Sequence, residues 1–182
     1  MNSTKNILNL GYFSICLVAV LITFLLHESV HYLAGMVLGY DMEMTLNSVN
    51  LADGQTYSKV WHNHLVSISG PIFTIIQAII FYNIILKTKN LNWYPFLFVA
   101  FIMRLMASVI SFIGVANDEA RVSEWLGIGK MTLPIIVTLF LFWLCFKASQ
   151  KVTISWKVNL VTFVNTSFGI TVIVYLNQYF FK

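Results

Sequence analysis

Five long apolar runs dominate this chain and restrict what it can fold into. They cover about residues 7–39, 65–86, 93–116, 131–148 and 158–181. An α-helix needs about 20 mainly apolar residues to cross the roughly 30 Å hydrocarbon core of a bilayer. Only 10% of the 182 residues are charged, whereas a soluble domain is about one quarter charged. The sequence therefore predicts an all-α, multi-pass integral membrane protein with about five transmembrane helices embedded in a lipid bilayer.

The most polar stretch, residues 40–64, follows the first run. Alternation of polar and apolar residues over 42–46 predicts short β-structure there, and Asp53-Gly54 is a turn signal. A short amphipathic segment is expected after the third run, up to about residue 129. Five spans leave no room for a separate soluble module, so we predict a single membrane domain over 1–182.

Basic residues are distributed unevenly between the two sides that five alternating spans create. One side collects lysines and no acids, namely Lys5, Lys87, Lys89, Lys147, Lys151 and Lys157. The positive-inside rule then predicts that the N-terminus is cytoplasmic. The basic residues are scattered among short loops, which argues against a nucleic-acid-binding surface.

The clearest chemical signal is the segment His27-Glu28-Ser29-Val30-His31. Residues four apart lie on one face of a helix, so both imidazoles can reach one zinc ion at roughly 2.0–2.1 Å. Glu28 lies one step round the helix, where it can accept a proton from a metal-bound water. Three ionisable groups in an apolar helix are costly unless they bind something or pair together. The motif predicts a zinc site, and a buried His–Glu cluster that only joins helices is the alternative.

A catalytic zinc site normally has three protein ligands and one position for water. The third ligand must come from elsewhere in the chain, and the candidates are His62, His64, Asp118, Glu119 and Glu124. Asp118 stands at the end of the third run, and its alternative role is to cap a helix that begins at Glu119. The residues alone do not separate Asp118 from Glu119. His62 and His64 are expected in the loop that enters the second span.

Two further features suit the interior of a helix bundle. Ser67, Gly70, Thr74 and Gln77 form a stripe of small and polar residues, which predicts close packing against the motif helix. A water path to the zinc is the alternative for this stripe. Arg104 lies near the middle of the third run and needs a partner or a wet cavity. Pairing with Glu28, a hydrogen bond to a substrate carbonyl and bonds to helix carbonyls all stay open.

These residues carry a resemblance to the site-2 protease family of intramembrane zinc metallopeptidases. The segment 27–40, HESVHYLAGMVLGY, is similar to the family's HExxH followed by small residues and a Gly before a β-segment. Ser69-Gly70-Pro71 resembles the Gly-Pro that opens the family's next core helix, although Thr74 stands where the family usually has Asn. Asn117-Asp118 falls where the family's third core helix supplies an Asp ligand, with Glu119 in place of the usual Gly.

The resemblance covers about residues 21–129 and implies a catalytic core at about 16–129, with additional helices at about 131–181. It implies that His27, His31 and Asp118 bind Zn²⁺ and that Glu28 is the general base. Asn117 would hydrogen-bond the substrate backbone or the developing oxyanion, with a helix-capping amide as its alternative role. The implied substrates are transmembrane segments of other membrane proteins.

Two other functions are compatible with the same residues. One is a membrane transporter or channel with a buried His/Glu site for protons or metal ions. The other is an inactive, protease-like protein that binds zinc. A transporter would distribute ionisable residues over several spans, whereas here they concentrate around one HExxH and one Asn-Asp. This concentration favours the enzyme.

Overall fold

The computed structural model describes residues 10–181, and five of its helices are long and apolar enough to cross a membrane. In chain order the elements are α1 (Leu10–Val37), β1 (Met42–Met44), β2 (Val49–Leu51), α2 (Val60–Thr88), α3 (Tyr94–Ile113), α4 (Asp118–Trp125), α5 (Thr132–Lys151) and α6 (Trp156–Phe180), with a 3-10 turn at Leu91–Trp93. The predicted all-α membrane fold with five spans is confirmed. Residues 7–9 of the predicted first run and Lys5 lie outside the described residues.

The interior of the bundle is built where the long helices face one another. Its fully buried side chains come from all five long helices, among them Val20, Ile85, Leu97, Leu141 and Thr166. Many large apolar side chains instead point outward, as with Ile80, Leu139 and Phe168. In a bilayer these outward residues meet lipid, and the helical backbone satisfies its own hydrogen bonds there.

Helix α2 begins before the apolar run from which the second span was predicted. The sequence put the start of this span at residue 65, with His62 and His64 in the preceding loop, but the helix starts at Val60 and contains both histidines. An apolar run indicates which part of a helix lies in the hydrocarbon core and not where the helix begins. A polar first turn outside the core is therefore missed. Pro71 lies inside α2 and not at its start.

The segment between α1 and α2 contains an antiparallel hairpin. Strand β1 confirms the β-structure predicted over 42–46, and its Glu43 pairs with Asn50 of β2. The turn of the hairpin is at 45–48, where the backbone N–H of Thr45 donates to the carbonyl of Ser48 at 2.9 Å. The Asp53-Gly54 turn follows β2 and does not connect the strands. The hairpin lies directly against α1, because a Cβ at Gly35 would overlap the side chain of Met42.

The turn of this hairpin is also joined to the last helix. The backbone N–H of Leu46 donates to Oδ1 of Asn177 on α6 at 2.8 Å. Leu46 itself packs against the buried core. The hairpin is therefore held between α1 and α6.

Candidate metal centre

Three side chains from two distant parts of the chain converge at one point. His27 and His31 come from α1, and Asp118 is the first residue of α4. The two Nε2 atoms are 3.1 Å apart, and Oδ2 of Asp118 lies 3.4 Å from Nε2 of His27 and 3.5 Å from Nε2 of His31. This nearly equilateral triangle of ligand atoms could hold a metal ion.

Helix α2 fixes the orientation of the His31 ring. Nδ1 of His31 lies 2.6 Å from the carbonyl oxygen of Val66. A carbonyl can only accept, so this contact requires the ring proton on Nδ1. Nε2 of His31 therefore presents a lone pair toward the triangle. A hydrogen bond from the other ring nitrogen to a carbonyl orients metal-binding histidines in the same way.

The His27 ring is oriented in the same way by Thr74. Its Nδ1 lies 2.9 Å from Oγ1 of Thr74, and that hydroxyl donates its single proton to the carbonyl of Gly70 at 3.0 Å. The hydroxyl must then accept from Nδ1–H of His27. Nε2 of His27 is left as a second lone pair facing the triangle.

The close approach of α2 to the histidines depends on Gly70. A Cβ at this position would collide with Nε2 of His31 and Cε1 of His27. The small and polar stripe of α2 thus packs against α1 as expected, and it also supplies the groups that hold both rings.

Asp118 contributes a charged oxygen to the triangle. Its other oxygen, Oδ1, accepts from Nη2 of Arg121 at 2.8 Å. Burial acts to raise the pKa of the Asp118 carboxyl, whereas the charge of Arg104 acts to lower it. Arg104 and Arg121 both donate to the carboxylate, so it is ionised, and three acceptor atoms face one another at 3.1–3.5 Å. Such a set is stabilised by a cation placed between them.

Behind Asp118, Arg104 and Glu119 form a buried ion pair. Nη1 of Arg104 donates to both carboxylate oxygens of Glu119 at 3.2 Å and to Oδ2 of Asp118 at 3.4 Å. Arg104 and Glu119 are 5% and 2% exposed, so each needs the other's charge. The sequence left three partners open for Arg104: Glu28, a substrate carbonyl and helix carbonyls. The structure shows a fourth partner, Glu119, which the sequence did not suggest.

The structure does not bring the other candidate ligands into the triangle. They are Glu119 beside Arg104, His62 on the Tyr40 hydroxyl, His64 stacked on Trp125, and Glu124 at the surface. Helix α4 begins at Asp118 with Asn117 at the capping position, so Asp118 does not cap a helix that starts at Glu119.

The triangle borders a cavity of about 440 Å³ that also includes Glu28, Asn117 and hairpin residues 47–51. The Glu28 carboxylate makes no hydrogen bond with any described residue, although the side chain is only 6% exposed. Asn117 does not cap α4 with its side chain. Instead, its Nδ2 donates to the carbonyl of Ala107 at 3.0 Å, and this bond ties the start of α4 to α3.

Sequence reasoning missed the groups that hold the two rings and the partner of Arg104. Thr74 was assigned to helix packing, with a water path to the zinc as the alternative, and not to a hydrogen bond with His27, although a threonine that faces a histidine can accept from its ring. No sequence pattern indicates that the backbone carbonyl of Val66 is the partner of His31. The position of hairpin residues 47–51 in the cavity wall was not expected either.

Comparisons with known proteins do not assign this chain to a family. The resemblance to the site-2 proteases depends on the residues quoted from the sequence and on no further relative. No protein-family model, no curated protein and no solved structure matches the chain.

Proposed function

We propose that this protein is an intramembrane zinc metalloprotease that hydrolyses peptide bonds in or near transmembrane segments of other membrane proteins. The observation that carries the proposal is the triangle of two imidazole nitrogens and one carboxylate oxygen, with Glu28 beside it on the same helix. Two histidines and one carboxylate are a usual ligand set for catalytic zinc, with a fourth position left for water.

The spacing of the ligand atoms supports zinc. Atoms held tetrahedrally at roughly 2.0–2.1 Å from one ion are about 3.3 Å from one another. The three distances of 3.1, 3.4 and 3.5 Å bracket this value. The lone pairs of both Nε2 atoms are directed inward by Thr74 and Val66, so the protein itself orients both nitrogen ligands.

In this proposal the chain's own residues perform the proton transfers. A zinc ion, when bound, supplies Lewis acidity that polarises the scissile carbonyl and acidifies a bound water. Glu28 accepts the proton from that water and then delivers it to the leaving amine. Its carboxylate is suited to this because it borders the cavity and has no competing hydrogen bond from a described residue.

The cavity supports a membrane-protein substrate. Its wall combines the amide side chains of Asn47 and Asn50 on the hairpin with apolar residues of α3 and α6, such as Ile110 and Val174. An unwound transmembrane segment needs both kinds of surface, because it carries unsatisfied peptide groups and apolar side chains together.

The proposal is tested with purified wild-type protein and a Glu28→Gln variant in detergent or liposomes. Metal content is measured by mass spectrometry, and cleavage is measured on a membrane-spanning reporter. Both proteins should bind about one zinc, while the variant should lose cleavage by at least about 100-fold, as expected for a lost general base. Equal cleavage by both proteins would exclude Glu28 as the base. Zinc binding without cleavage by the wild type would favour an inactive zinc protein, and ion flux through liposomes would favour a transporter.

A further inference from the structure

Arg104 has more hydrogen-bond donors than the surrounding protein uses. A guanidinium carries five N–H groups, and Nη1 is engaged by Glu119 and Asp118. Nε is buried and has no hydrogen-bond partner among the described residues. In the part of the chain that the structure describes, Nη2 has one long contact, 3.5 Å from Nε2 of His27. The edge of the guanidinium formed by Nε and Nη2 therefore makes one long hydrogen bond with the described residues.

That long contact competes with the proposed metal. Nε2 of His27 has a single lone pair, and its Nδ1 is committed to Thr74. If the lone pair binds zinc, it cannot accept from Arg104, and Nη2 loses its partner. A buried donor without an acceptor is costly, so the occupied site has a place for another oxygen beside the ligands.

Two other donors near this point, Thr74 and Asn117, are already committed. Thr74 stands where the resembled family usually has Asn, but its hydroxyl proton is given to the Gly70 carbonyl. The Asn117 amide donates to the carbonyl of Ala107. Arg104 borders the same cavity as Glu28 and the triangle, and Glu119 holds its guanidinium through Nη1.

We propose that Arg104 is a catalytic residue whose Nη2 donates to the carbonyl oxygen of the scissile peptide bond. This inference rests on the proposed hydrolysis. The water oxygen bonds to the carbonyl carbon, the π electron pair moves to the carbonyl oxygen, and one water proton goes to Glu28. Arg104 stabilises the oxyanion formed in that step. The C–N bond then breaks, Glu28 returns the proton to the nitrogen, and the second water proton stays on the new carboxyl group. Glu119 is a positioning residue that acts through Arg104.

The main test compares two peptide inhibitors with the same apolar side chains, one a hydroxamate and the other a phosphinate. The hydroxamate reports binding to the metal, whereas the phosphinate carries a tetrahedral, charged group that mimics the oxyanion. The variant is the double substitution Arg104→Gln with Glu119→Gln, which removes both buried charges together and avoids an unpaired carboxylate. It should keep zinc and hydroxamate affinity but bind the phosphinate about 100-fold or more weakly, and kcat should fall similarly with little change in KM.

Several results would overturn this role. Unchanged phosphinate affinity and kcat would exclude Arg104 from the oxyanion site. A parallel loss of zinc, hydroxamate and phosphinate would assign the ion pair to structure alone. If the double variant does not fold, Arg104→Lys replaces it, because lysine keeps the positive charge but lacks the planar guanidinium with its several N–H donors. The same selective loss of phosphinate binding is expected. If the wild type cleaves no reporter and binds neither inhibitor, the proposed hydrolysis fails and the role of Arg104 fails with it. If the wild type cleaves the reporter but the double variant binds the phosphinate unchanged, the hydrolysis stands and only the role of Arg104 is overturned.

Discussion

Thr74→Val is a sharp test of the idea that α2 prepares the histidines for metal. Valine has nearly the shape of threonine but cannot accept from Nδ1–H of His27. The imidazole can then move its proton to Nε2 and donate it to Oδ2 of Asp118, which lies 3.4 Å away. In that tautomer the nitrogen that should bind zinc is blocked, so the variant should bind zinc more weakly.

The burial of both groups sets the size of the effect. Thr74 is 0% and His27 is 2% exposed, so water cannot easily replace the lost acceptor. A buried donor without a partner costs about 1–3 kcal/mol, and each 1.4 kcal/mol is about tenfold in affinity. We therefore expect zinc affinity to fall about 10- to 100-fold, in the range usually seen when the hydrogen-bond partner of a metal-binding histidine is removed.

The assay is a competition titration against a chromophoric zinc chelator at neutral pH. Thr74→Ser keeps the hydroxyl and should stay near wild-type affinity. Thr166→Val is the matched control, because Thr166 is equally buried and its hydroxyl donates within α6 to the carbonyl of Thr162. Wild-type affinity in Thr74→Val, or the same loss in Thr166→Val, would refute the argument.

Three other changes probe the same centre. Asp118→Asn should lose most bound zinc because an amide is a poor replacement for the carboxylate ligand. Full zinc occupancy by elemental analysis would exclude Asp118 as the third ligand and leave Glu119 as the candidate. Gly70→Ala should lower both zinc content and thermal stability, since a Cβ there meets the His31 ring. Acidification should release zinc, because protons compete for both imidazoles and for the carboxylate. Zinc retention measured from pH 7 to pH 4 should fall toward the acid end, and constant retention would argue against histidine ligands.

Much of this fold could be predicted because the bilayer imposes a simple rule on the sequence. A span must be apolar over about 20 residues, and the five runs satisfy that rule without tertiary information. The histidine pair is equally local, since the helical repeat alone places both side chains on one face of α1.

The remaining parts of the site depend on contacts between elements. Asp118 and Glu119 are neighbours on α4, so their side chains point in different directions, and only the packing of α4 decides which one meets the histidines. Arg104 could be recognised as needing a partner, but its partner is set by the turn between α3 and α4. The start of α2 was missed because its first turn is polar.

The hydrogen bond between Leu46 and Asn177 has a consequence for biosynthesis. During synthesis the three ligand side chains are all present once α4 has been made, whereas the hairpin can be fastened only after α6 has entered the membrane. Ile170 and Val174 of α6 also complete the cavity wall. A nascent chain interrupted after α5 would therefore hold its ligands beside a hairpin that contacts α1 but not α6, and beside a cavity that lacks part of its wall. The centre formed by α1 and α4 is complete only when the last helix is in place.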